Sequence, residues 1–181
     1  MLKNTRQHWG SLAKWLHWVL ALLIIGQGIL GKVAEEMERS PAKLDAFVWH
    51  KSLGVLILLL VLTRLVWRWA NPSPELPAST TRREVWAARI SHGLLYTLMI
   101  LIPVSGWVAS DTSRIPLTLF RMFPAPDLMA ANHDLHEQAG EIHELLVTGL
   151  LVLLIIHVTA ALYHHLVRRD TVLRRMLPGK S

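Results

Sequence analysis

Histidine is the residue whose type and spacing in this chain could do chemistry. There are ten, at His8, His17, His50, His92, His133, His136, His143, His157, His164 and His165. Imidazole binds metals and moves protons near neutral pH. His143 and His157 lie in one long apolar run. On a helix, fourteen steps of ~100° fall ~40° short of four full turns, so the two share a face and stand ~21 Å apart along the axis. That is too far for one metal ion and suits two centres stacked along one helix. His136 and His164 continue the same stripe seven residues to either side, so phase alone does not choose among the four. His143 and His157 are preferred because they lie inside the apolar run, whereas His164 and His165 fall at its edge.

The elements that must hold these side chains are four apolar stretches, roughly Trp15–Leu30, Leu53–Trp67, Ile90–Ala109 and Leu145–Tyr163. A helix that crosses a bilayer needs about 20 mostly apolar residues. With their flanks the stretches predict spans at 15–33, 48–69, 88–109 and 141–165. None alternates with period two, which argues against a transmembrane barrel. Hydrophobic residues make up 52% of the 181 and charged residues 18%, against about 25% charged in a soluble domain. The predicted fold is an all-α integral membrane four-helix bundle forming a single domain over 1–181. The linkers, 71–81 with Pro72, Pro74 and Pro77 and 110–132 with Pro116, Pro124 and Pro126, are too short for a second domain. Lys3, Arg6 and Lys14 ahead of the first stretch resemble a signal-peptide n-region. Gln27 and a histidine interrupt that stretch and no A-x-A site follows, so it reads as a retained helix. The chain has no cysteine, which excludes disulfides, thiolate metal sites, iron–sulfur clusters and covalent C-x-x-C-H haem attachment.

A net charge of +6 invites a nucleic-acid reading until the charges are placed. With four spans, thirteen of the nineteen Lys and Arg lie in the N-terminus, the second connection and the C-terminus, with only Glu75, Glu84 and Asp170 among the acids. The other side carries Lys32, Arg39, Lys43, Lys51, Arg114 and Arg121 with the remaining ten acids, and nets −4. The positive-inside rule makes the basic side cytoplasmic, with both termini there. Trp9, Trp15, Trp18, Trp67, Trp69 and Trp86 gather at that interface and Trp49 and Trp107 at the other, as an aromatic belt does. The basicity is therefore a topology signal, and no nucleic-acid partner is expected.

Depth now pairs the histidines. His17, near the cytoplasmic start of the first helix, matches His157. His50, at the outer start of the second, matches His143. Ionisable groups inside a membrane mark function by default. Two imidazole pairs at two depths make two bis-histidine haem sites, which leave no open iron position and suit electron transfer. Gly54 and Gly149 are small residues that would let a flat macrocycle approach the backbone. Arg64 and Arg68, one turn apart at the inner end of the second helix, are candidates to pair with haem propionates.

With these residues in view, the chain resembles the bacterial cytochrome b561 family, related to the haem b subunits of nickel–iron hydrogenases and formate dehydrogenases. The resemblance rests on K-W-L-H-W over Lys14–Trp18, W-H-K-S-L-G over Trp49–Gly54 and T-R-L-V-W-R-W-A-N-P-S-P over Thr63–Pro74. It continues in S-H-G-L-L-Y from Ser91, I-P-V-S-G from Ile102, H-E-L-L from His143, H-V-T-A-A-L-Y-H-H from His157 and the terminal L-R-R-M-L-P. It covers nearly the whole chain. It implies a multi-pass protein of the bacterial inner membrane, surrounded by lipid, with two non-covalent b haems on His17, His50, His143 and His157. It also implies electron exchange with ubiquinone and, in some members, superoxide as the periplasmic donor.

Superoxide is an anion, and a positive cleft would steer it. The outer side is net negative, so the steering is expected from a local patch of Lys51, Arg114 and Arg121, with Lys51 beside His50 as the donor gate. A periplasmic redox protein is the other candidate donor. His92 and Tyr96, one turn apart near the cytoplasmic start of the third helix, are the candidates to hydrogen-bond a quinone carbonyl and relay protons. Two further readings compete: a haem b anchor subunit that takes electrons from a docked hydrogenase or dehydrogenase, and a haem-free transporter of protons or metal ions.

Overall fold

A computed structural model describes residues 1–75, 77, 80–113, 118–124 and 129–179. Four long helices follow one another: α1 (Ser11–Glu36), α2 (Pro41–Ala70), α3 (Arg82–Asp111) and α4 (His133–Leu166). All four are long and apolar enough to cross a membrane. Each runs past the span expected for it. Apolar composition marks only the hydrocarbon layer, about 30 Å thick, whereas the 34 residues of α4 extend about 50 Å. Its first turns, His133–Ile142, are polar, and Asn132 starts them by accepting the Leu135 N–H at 3.1 Å.

The other starts are equally local. Ser40 accepts from the Lys43 N–H, with Pro41 at the first helical position, where the missing proline N–H costs nothing. Thr81 and Glu84 form a reciprocal capping box at α3. Gly10 precedes α1 because the N-terminal segment folds back against it: a Cβ there would lie 2.2 Å from the Leu2 carbonyl oxygen. That segment is tied down by Gly10 N–H to Asn4 Oδ1, 2.9 Å, and by the Asn4 amide to the Pro72 carbonyl, 3.0 Å.

The four-residue α1–α2 connection forces antiparallel neighbours, and α2 packs in turn on α3 and α3 on α4. Leu20, Ile57 and Val61 form the buried core among α1, α2 and α3, with Tyr96, Met99 and Ile100 against it. Leu22 and Leu145 are about 70% exposed, as side chains facing lipid rather than water must be.

Two features were not expected from the sequence. The α3–α4 connection carries a small antiparallel hairpin, β1 (Thr118–Leu119) with β2 (Phe123–Pro124). Its tip residues Phe120 and Arg121 have φ of 51° and 59°. At the opposite end a 3-10 turn, Arg174–Met176, folds the tail under the bundle, where Trp18 Nε1 donates to the Met176 carbonyl at 2.8 Å.

Candidate functional site

Both histidine pairs meet inside the bundle. His17 of α1 faces His157 of α4 with ring centroids 6.3 Å apart, and His50 of α2 faces His143 of α4 at the same 6.3 Å. The rings are steeply inclined, at 67° and 78°. The other two histidines of the α4 stripe are engaged elsewhere: His136 Nδ1 lies 2.6 Å from the Ala109 carbonyl, and His164 bonds Asp170.

The pairs can be tested against the group they were expected to hold. Metal–imidazole bonds of about 2 Å on either side of one ion place the ring centroids about 6 Å apart, which is the spacing at both levels. Among the described residues no cluster of three or more His, Asp or Glu is arranged to hold a bare ion. Two imidazoles alone suit an ion whose remaining positions come from a macrocycle.

At the His50/His143 level, His143 Nδ1 lies 2.9 Å from the Ile102 carbonyl and 3.2 Å from Ser105 Oγ. A carbonyl only accepts, so Nδ1 carries the proton and Nε2 keeps its lone pair for a metal. The glycines closest to these imidazoles are Gly31 and Gly106, whose added Cβ atoms would lie 2.7 Å from His50 and 3.0 Å from His143. Gly54 instead faces Gln27 and Gly149 faces Leu98, at ordinary contact distances. The I-P-V-S-G segment thus supplies the carbonyl, the hydroxyl and the gap around His143.

Gln27, read only as an interruption of the first span, donates to the His50 carbonyl at 2.5 Å while its own side-chain oxygen and His50 Nδ1 are buried with no hydrogen-bond partner among the described residues. Above this level Ser52, fully buried, donates to the Val48 carbonyl and accepts the Phe120 N–H at 2.8 Å. Trp49 packs on the Phe120 ring. Ser52 and Trp49 therefore hold the hairpin beside His50. Nothing in the local sequence pattern links Ser52 to residue 120. Lys51 is half-buried and makes no hydrogen bond or ion pair with the described residues. Arg121, expected in the cationic patch, is ion-paired with Asp45. Arg114, Pro116, Pro126 and Lys180 lie outside the described residues.

At the His17/His157 level the expected propionate and quinone groups converge in one cluster. Arg64 Nε donates to the Tyr96 hydroxyl at 2.9 Å, its Nη1 to the Ala13 carbonyl at 3.3 Å, and its Nη2 reaches His17 Nδ1 at 3.3 Å. Arg68 lies over the Tyr96 ring, 5.7 Å from its centroid. His92 stands 5.5 Å from His157, ring to ring. A guanidinium only donates, so His17 Nδ1 accepts here and the proton rests on Nε2. Metal ligation through Nε2 requires that proton to move to Nδ1 and Arg64 to turn away.

A four-helix membrane bundle that aims paired imidazoles into its interior has the form of a membrane cytochrome b. The chain matches the family model of prokaryotic cytochrome b561 over residues 8–179 and belongs to that family of membrane haem b electron-transfer proteins. It is 31% identical over 179 residues to cytochrome b561 homolog 2 of Escherichia coli K12, covering 98% of this chain and 95% of that one. It is 29% identical over 167 residues to a probable superoxide oxidase of Yersinia pestis, covering 91% and 93%. It is also 29% identical over 171 residues to cytochrome b562 of Cereibacter sphaeroides, covering 90% of each.

Proposed function

We propose that this chain is a dihaem cytochrome b of the bacterial inner membrane, a single four-span unit with both termini cytoplasmic. It carries electrons from a periplasmic donor, superoxide, to ubiquinone. The observation that carries the reading is the pair of histidine couples at equal 6.3 Å ring spacing, both using α4. The similarity to a probable superoxide oxidase supports the choice of donor.

In this reading His50 and His143 hold the outer haem and His17 and His157 the inner one. Haem b bound there would supply reversible one-electron chemistry. The chain supplies the rest. Ile102 and Ser105 fix the His143 tautomer. Lys51, beside His50, draws the anionic donor to the outer mouth. Arg64 and Arg68 receive propionates at the inner level, Arg64 leaving His17 to do so. Tyr96 accepts from Arg64 through its oxygen, so its O–H is free to donate to a quinone carbonyl, and His92 supplies the second proton donor. Two superoxide anions each lose one electron and become dioxygen, while the quinone takes up two electrons and two protons.

The test is a reduced-minus-oxidised spectrum of the detergent-purified chain, with pyridine haemochrome quantitation, followed by reduction with enzymatically generated superoxide. Two b haems per chain and reduction suppressed by superoxide dismutase are expected. One haem, or reduction only in the presence of a partner protein, overturns the corresponding part of the proposal.

A further inference from the structure

One cleft among the described residues lies away from the paired histidines. It is a cleft of about 690 Å³ beside the start of α1, walled by the N-terminal segment and by Pro178 and Gly179 of the tail. Its lining holds two chemistries. Lys3 and Lys14 supply ammonium groups. Trp15, Trp18, Val19 and Leu22 line it along one face of α1, and Leu22 is 70% exposed where lipid would lie. From Lys14 to Leu22 the helix descends about 12 Å, the depth from a headgroup into the acyl region.

Lys14 is the informative residue. It is only 7% exposed, and among the described residues its one side-chain bond is a long 3.4 Å contact from Nζ to the Gly179 carbonyl. No carboxylate is among the described residues lining the cleft. A buried ammonium that meets no carboxylate among the described residues is costly unless an anion completes its surroundings. A neutral headgroup, a quinone included, leaves that cost in place.

We infer that this cleft binds one anionic glycerophospholipid from the leaflet on the side of the termini, its phosphate between Lys3 and Lys14 and an acyl chain along Trp15, Val19 and Leu22. The lipid joins the N-terminal segment to the tail, completing a contact that Trp18 begins with its bond to Met176.

The experiment uses delipidated, haem-loaded full-length protein, followed by native mass spectrometry and thermal unfolding. Dioleoyl-phosphatidylglycerol, dioleoyl-phosphatidylcholine, inorganic phosphate and decyl-ubiquinone are added separately. One retained phosphatidylglycerol per chain and a rise in Tm are expected, with neither from phosphatidylcholine. Lys14→Gln should weaken retention at least tenfold. The exposed Lys3→Gln, which leaves the fold alone, should weaken it several-fold. Equal retention of both lipids, an equal Tm rise from phosphate alone, displacement of the lipid by decyl-ubiquinone, or unchanged selectivity in both variants overturns the inference. Haem content reads the function proposed above independently of all these outcomes.

Discussion

His143 Nδ1 donates to the carbonyl oxygen of Ile102 across the α3–α4 interface, at 2.9 Å. The bond leaves Nε2 without the proton, on a ring 6.3 Å from that of His50, and makes α3 a supporting wall for this site. Ser105, 3.2 Å from the same nitrogen, adds a second partner. Outer partners of this kind typically change metal affinity by about 10–100-fold. Ser105→Ala retains the carbonyl, so haem should remain bound while the midpoint potential of one centre moves and the other does not. On the proposed dihaem reading, His143→Ala should remove one of two haems per chain, measured by pyridine haemochrome.

Gly31→Ala places a methyl group 2.7 Å from the His50 ring, and Gly106→Ala one at 3.0 Å from His143. Overpacking of this kind costs about 1–3 kcal/mol. Both should lower occupancy of the haem proposed at His50 and His143, Gly31→Ala more. Gly54→Ala and Gly149→Ala, with nearest contacts of 3.5 and 3.9 Å, should retain full haem.

Arg64→Gln removes a guanidinium bonded to Tyr96, Ala13 and His17. Groups left without partners in a low-dielectric interior cost about 1–3 kcal/mol, so Tm should fall. Loss of a nearby positive charge disfavours the reduced state. The midpoint potential of the inner centre should therefore drop while the outer one holds, as read by redox titration.

Ser52→Ala leaves the Phe120 N–H without its acceptor. The hairpin 118–124 should exchange its amide hydrogens faster and become more protease-sensitive, at a cost of about 1–2 kcal/mol, with haem content unchanged.

Asp170 lies beyond the last span. Burial raises its carboxyl pKa, but hydrogen bonds from His164 and the Val172 N–H outweigh this and hold it below the usual range. A depressed carboxyl contributes stability above its unfolded value, about 3.9, and loses it as pH falls through the lower folded value. Amide protection factors in 170–177 should fall on acidification below about pH 4. Asp170→Asn should exchange faster already at pH 7 and show a flatter acid response.

Much of this protein is legible along the chain because each spanning helix satisfies its own backbone. Apolar runs, cap residues and charge asymmetry are local, and they specify four helices. The 3.6-residue period alone puts His143 and His157 on one face. What one helix meets on another is not periodic. The gaps at Gly31 and Gly106 and the bond from Ser52 to the hairpin depend on how helices rotate against each other. The convergence of Arg64, Tyr96 and His92 beside His157 has the same origin. Interior positions carry no distinguishing composition when the surroundings are lipid, as apolar as the core itself. Only close packing of the four helices decides which small or polar residue faces inward.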